Sequence, residues 1–164
     1  MDDLNAGPAA SAAAAEVVGL LGQAGVQIAL AELGAGGRIA DLLRRAPGGA
    51  DVVTSSRRLP DPRSLTDELG VSEAKMAAFG WLSQMVAAEV AAALIDTYEG
   101  GWGLAVLGNP APGQDVLVQD ACVALGTPST TVVTVCGVSE VTTVAFDLLR
   151  RAARERLAAR TAAE

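Results

Sequence analysis

The residues of this 164-residue chain best placed for chemistry fall in three short segments. The first is AELGAGGRIADLL, where Glu32 ends an apolar run and Gly34, Gly36 and Gly37 lead into a helical pattern. Free backbone N–H groups at such a helix entry suit an anion. A tight turn needing positive φ explains the same glycines, and the dinucleotide fingerprint GxGxxG fails because Ile39 stands at its third glycine position. The second segment is TSSRR, in which Ser55 and Ser56 precede Arg57 and Arg58. Hydroxyls beside paired guanidiniums suit a phosphate monoester, and solvated surface charge is the plain alternative. The third, GNPAPGQD, offers Gly108, Asn109 and backbone amides after an apolar run, either facing a ligand or turning the chain.

Other chemistry is thinned by composition. There is no His, which removes Ser-His-Asp and Cys-His machineries, the usual zinc sites and an imidazole switch near neutral pH. No cofactor or metal is expected. Ser55 and Ser56 therefore lack an evident base, and Lys75, the single Lys, lies in a helical stretch with nothing to depress its pKa. Glu32 directly follows a buried run, so it must be hydrogen-bonded or paired, to glycine-loop amides or to an Arg. Cys122 and Cys136 lie in apolar strand-like runs and read as two buried reduced thiols.

A net charge of −7 argues against nucleic acid as a partner, since phosphate neutralisation needs clustered cations. The charges are uneven: six Arg lie between positions 38 and 63 and five between 150 and 160, whereas residues 64–149 hold ten acids and Lys75. The last Arg group reads as a helix C-terminus with a solvated face. No apolar stretch approaches the ~18 residues of a membrane span, and Asp2 and Asp3 do not make a signal-peptide flank, so a cytoplasmic protein without membrane contact is expected.

The elements that must position these residues follow from periodicity. Residues 1–8 and 161–164 read as disordered tails around one domain spanning 9–160. A helix covers Ala9 to about Gln23 and stops at Gly25; VQIALAEL from Val26 is a buried strand; a helix spans about Arg38 to Arg45. DVVTSS from Asp51 is a second strand, followed by a surface loop from Arg57 to Arg63. Apolar residues at Met76, Phe79, Leu82, Val86, Val90, Leu94 and Ile95 predict one long helix over Val71–Tyr98, or two joined near Gly80. Three strands follow, from Trp102, Asp115 and Thr130, and a last helix runs from Val138 to Arg160. Alternating strands and helices followed by adjacent strands predict a three-layer α/β/α domain with a mixed sheet.

This pattern resembles the CinA C-terminal domain family, bacterial competence/damage-inducible proteins, over about residues 14–160. Members with an intact site are nicotinamide-nucleotide amidohydrolases. The family motif ESCTGG is ELGAGG here: Glu32, Gly36 and Gly37 match, and Leu33 replaces the nucleophilic Ser. GVVTYSNEAK is similar to DVVTSSRRLP, keeping Val52, Val53, Thr54 and Ser56, with Ser55 at the Tyr position and Pro60 at the Lys position. GAVSEEVA resembles GWLSQMVA in Gly80, Ser83, Val86 and Ala87, and TGIAGPGG resembles LGNPAPGQ in Gly108, Pro112 and Gly113. The family's KPVG has become Val116 to Gln119, where only Val118 agrees. In the family's GDRxxxR entry to the last helix, Gly137 matches while Ser139 and Thr143 take the two Arg positions.

The glycine framework is kept and the reactive residues are replaced. The resemblance therefore implies a domain without amidohydrolase activity, a pseudoenzyme serving in binding, regulation or assembly. Alternatives are an active hydrolase of a pyridine nucleotide using Ser55, Ser56 or Glu32, and a module that holds a small nucleotide or phosphate on the glycine loop and Arg57/Arg58. Family members self-associate, which implies a homodimer; Trp81 and Trp102 suit its interface, with simple core packing the plainer reading of each. The molybdopterin-binding-like domain often found N-terminal in that family has no counterpart, so the chain is expected to act as the small domain alone.

Overall fold

Pro8, whose fixed φ and missing N–H suit a first helical turn, opens helix α1 (Pro8–Ala24), and Gly25 closes it in the left-handed region at φ 68°. In this computed structural model, residues 7–34, 38–98, 101–108 and 121–163 are described. The remaining elements are β1 (Ile28–Leu33), α2 (Arg38–Arg45), α3 (Gly49–Val52), β2 (Val53–Leu59), α4 (Arg63–Leu69), α5 (Glu73–Phe79), α6 (Gln84–Thr97), β3 (Trp102–Gly108), β4 (Ala121–Gly126), β5 (Thr131–Cys136) and α7 (Val141–Ala163), the last entered through a 3₁₀ turn at Val138–Glu140.

The five strands form one mixed sheet in the order β2-β1-β3-β4-β5. β1 pairs in parallel with β2 and β3, whereas β4 runs antiparallel to both β3 and β5. Every residue of β1, β3 and β4 is buried, as their unbroken apolar runs require of strands covered on both faces. Strand alternation splits the interior in two. Ile28, Leu30, Leu104, Val106, Val123 and Leu125 pack under α1, α2 and α7. Ala29, Ala31, Leu33, Ala105 and Leu107 pack under α4 and α6. The three-layer α/β/α arrangement is thus observed, with both buried thiols free.

Several expectations are corrected. Asp51 and Val52 belong to the short helix α3, because Gly48 reverses the chain at φ 81° and Gly49 sits against the Leu43 carbonyl, where a Cβ would lie 1.9 Å away. The strand starts at Val53 and continues through Arg57 and Arg58 to Leu59, which pair with Ala31, Glu32 and Leu33. Only the following turn is loop, since Arg63–Leu69 is helical. Its entry is fixed by Asp61, whose Oδ1 accepts from the Ser64 amide and hydroxyl at 3.1 Å each.

The Val71–Tyr98 stretch resolves into α5 and α6, broken at Gly80 (φ 82°) and restarted by the Ser83 hydroxyl accepting from Val86 N at 3.3 Å. Phe79, counted in the inward stripe, is 55% exposed because α5 lies at the margin of α6. Helix α7 continues to Ala163, past the Arg160 end and into the expected C-terminal tail. Of the run from Asp115, residues 115–120 lie outside the described residues, as do most of the expected N-terminal tail, Gly36, Gly37, Asn109, Pro112 and Gly113. No helix among the described residues is long and apolar enough to cross a membrane.

Candidate functional site at the carboxyl ends of the strands

Glu32 and Leu33 are neighbours in β1, and the period of two sends them to opposite faces. Glu32 faces α2 and is 1% exposed. Its Oε1 accepts from Ile39 N at 3.1 Å and its Oε2 from Ala40 N at 3.2 Å. These are amides of the first turn of α2, which lack intrahelical acceptors, so an internal carboxylate serves as the anion at the helix start. Burial pushes the Glu32 carboxyl above its ordinary range; the two amides and Arg58 oppose that rise, and Asp41 adds to it. Glycine-loop amides or an Arg are the expected partners; the donors found are instead the Ile39 and Ala40 amides of α2, and they tie β1 to α2.

Leu33, on the other face, is 3% exposed and lies in the core beside Leu59, Leu65, Val86 and Leu107. Its isobutyl group occupies packed interior. Gly34 follows at φ +81°, and a Cβ there would stand 2.2 Å from the Gly108 carbonyl oxygen. That glycine permits the ends of β1 and β3 to meet, which is a backbone demand before any ligand is considered.

The Ser-Ser-Arg-Arg segment is divided by the same alternation. Ser55 and Arg57 lie on the α6 side of edge strand β2, opposite Ala29 and Ala31; Ser56 and Arg58 lie on the α2 side, opposite Leu30 and Glu32. Arg57 is already engaged: its Nε donates to Tyr98 Oη at 2.7 Å and its Nη1 to Glu68 at 3.2 Å. Arg58 approaches Asp41 at 3.9 Å. Ser55, Ser56, both arginines, Glu68 and Tyr98 nonetheless border one open polar recess of about 420 Å³ at the sheet edge.

Tyr98 was not evident from the sequence, although it is the only Tyr and ends α6. The nearby Ser55 hydroxyl and Arg57, whose Nε donates to its Oη, hold its phenol below the ordinary range. Ser55 thereby has a neighbour that, once ionised, would accept its proton.

Of the replaced family positions, Pro60 is exposed in the turn after β2, and Ser139 and Thr143 are exposed beyond β5. Because β1, β2 and β5 point the same way, all four positions stand at one end of the sheet. They do not share one cavity among the described residues. Ser139 and Thr143 border a recess of about 460 Å³ with Arg38, Leu42 and Phe146 on the α1–α7 side, whereas Leu33 is packed on the other face. No cluster of three metal-ligating side chains occurs among the described residues.

Comparison with known proteins agrees with this architecture. A search of curated proteins finds no match. Among solved structures, a competence-damaged protein (CinA) superfamily protein from Escherichia coli superposes with a TM-score of 0.74 at 16% identity, covering 95% of each chain. The competence/damage inducible protein CihA from Agrobacterium tumefaciens gives 0.73 at 21% identity, covering 96% of this chain and 98% of its own. A CinA superfamily protein from Klebsiella pneumoniae gives 0.76 at 16% identity, over 91% and 98%. These likenesses carry the fold. The family model for the CinA C-terminal domain matches residues 10–160, nearly the whole chain, and on that match the chain belongs to the CinA C-terminal domain family.

Proposed function

We propose that this chain is a CinA C-terminal domain without amidohydrolase activity, serving as a cytoplasmic, homodimeric binding, regulatory or assembly module. One observation carries the reading: Leu33, at the family's nucleophile position, is a buried core side chain with no attacking atom. Glu32 beside it has both carboxylate oxygens engaged by α2 amides. Loss of the nucleophile from residues that act as a unit removes on the order of 10⁶-fold in a serine hydrolase, so the remaining groups do not sustain turnover. The test is ammonia release from nicotinamide mononucleotide by purified protein. No release above the protein-free control is expected, and steady release at an enzyme-like rate overturns the reading.

A second reading has its own observation in the Ser55–Tyr98 contact. Tyr98, ionised to the phenolate that Arg57 stabilises, would take the Ser55 proton as Oγ attacks an amide carbon; the resulting phenol would give that proton to the amine as the C–N bond breaks, leaving an acyl-serine ester for water to hydrolyse. This version predicts activity that Tyr98→Phe and Ser55→Ala both abolish. A phosphate or nucleotide held at the same recess without turnover would instead raise the melting temperature and lose that shift in Arg58→Gln.

A further inference from the structure

A second cavity lies at the opposite end of the sheet. Helix α7 passes over the β4–β5 turn and leaves a groove of about 420 Å³ beside the amino ends of β1 and β3. Gly103 of β3 pairs with Gly126 of β4, and Gly126 with Thr131 of β5, which places this groove a full strand length from Glu32 and Gly34. Its size falls in the ~300–1,000 Å³ range of small-molecule sites.

The floor is apolar, made by Val26, Trp102, Leu125 and Leu148. Val132 on the adjoining wall is 43% exposed, one of three large apolar side chains so exposed among the described residues. The rim is cationic, and how α7 uses its arginines makes it so. Arg150 bonds Glu16 and Asp147, Arg154 bonds Glu16, and Arg160 donates to the Gln23 carbonyl at the end of α1. Arg151 and Arg156 have no hydrogen-bonded or ion-pair partner among the described residues, and both border the groove. Glu155 is the one acid on this rim, leaving it a net positive charge.

We propose that this groove is a binding site for a small amphipathic organic anion, an aromatic ring or short apolar chain carrying a carboxylate or sulfonate. The apolar part covers Val132, removing exposed apolar surface from water, and lies over the floor that holds Trp102. The anionic end meets Arg151 and Arg156, whose guanidiniums have donors to spare. Nothing in this assignment depends on whether the family's reaction survives at the other end of the sheet.

The probe is 8-anilinonaphthalene-1-sulfonate, read by energy transfer from Trp102 in a Trp81→Phe background that leaves it the sole Trp. Saturable one-to-one transfer is expected. Arg151→Gln/Arg156→Gln should raise Kd at least tenfold, and Ala159→Phe, which fills the groove mouth from an exposed helix position, should abolish transfer while far-UV circular dichroism stays unchanged. The uncharged N-phenyl-1-naphthylamine should bind at least tenfold more weakly than the sulfonate. Transfer that is absent, or that neither set of variants moves, overturns the proposal. A dimer that Val132→Arg dissociates, with no binding of the sulfonate, overturns it too and gives the groove to a second copy of the chain.

Discussion

The two ends of the sheet differ in what fills them. At the carboxyl ends of β1 and β3, Leu33 packs into the core, Gly34 lies against the Gly108 carbonyl, and the Glu32 carboxylate is held by two amides of α2. At the amino ends, Trp102 and Val132 border an open groove rimmed by two arginines without a partner among the described residues. Open α/β sheets place ligands outside the carboxyl ends of their strands. In this chain Glu32, Leu33 and Gly34 at that end are engaged by their own neighbours, and an apolar groove with a cationic rim opens at the other. A retained fold thus fixes neither the location of a binding site nor the chemistry done there.

The sharpest way to break this contrast is Leu33→Ser. Truncating a buried Leu costs about 2–5 kcal/mol, and an added hydroxyl without a partner costs more, so about 4 kcal/mol is expected in urea unfolding. A loss below 1 kcal/mol would mean an open, solvated pocket in place of a packed interior.

Gly34→Ala comes next, at about 3 kcal/mol, from its positive φ and the 2.2 Å approach to the Gly108 oxygen. The companion change Gly108→Ala meets its nearest atom, the Leu33 carbonyl oxygen, at 3.6 Å and should cost less than about 1 kcal/mol. Equal costs would remove the geometric reason for glycine at position 34.

Glu32→Gln probes the brace through pH. Burial raises the Glu32 pKa in the folded chain, so the native state binds that proton more tightly than the unfolded state does. The contribution of Glu32 is then greatest below the unfolded carboxylate pKa of about 4.3 and declines as pH rises through the raised native value. Gln does not titrate. The stability of wild type relative to Glu32→Gln should therefore shrink as pH rises above about 4 in paired urea titrations, and a difference that grows with pH would contradict the direction. At the groove, Ala159→Phe should move stability by no more than about 0.5 kcal/mol, as expected of an exposed helix position.

How much of this was legible in the sequence depended on where the deciding contact lay. The buried strands β1 and β3 were readable because an unbroken apolar run determines its own burial on both faces. The periodicity leaves one helix or two joined near Gly80 open, and the positive φ of Gly80 makes it two. Strand β2 was cut short at Ser56, since Arg57 and Arg58 look like loop until Ala31 and Glu32 supply the ladder beside them. Helix α4 is not legible because its seven residues carry too little periodicity. The need of Glu32 for partners is legible from its place after a buried run, but that the partners are the Ile39 and Ala40 amides, not the glycine-loop amides or an Arg, is decided only by how α2 docks on β1. Tyr98 was not legible, because its link to Ser55 and Arg57 spans more than 40 positions and is made only when α6 packs beside the sheet edge. The groove was invisible for the same reason: no segment encodes it, and it exists only where α7 crosses the β4–β5 turn.

The central claim is that the fold has been kept while the family's reaction has been lost. Its most direct measurement is ammonia release from nicotinamide mononucleotide by wild type, Leu33→Ser and Tyr98→Phe proteins side by side. The account predicts no release above the protein-free control in any of the three, with Leu33→Ser failing because its hydroxyl points into the core and Pro60, Ser139 and Thr143 remain. Steady release by wild type that Leu33→Ser leaves unchanged would contradict it, and abolition of that release in Tyr98→Phe would move the reaction to Ser55.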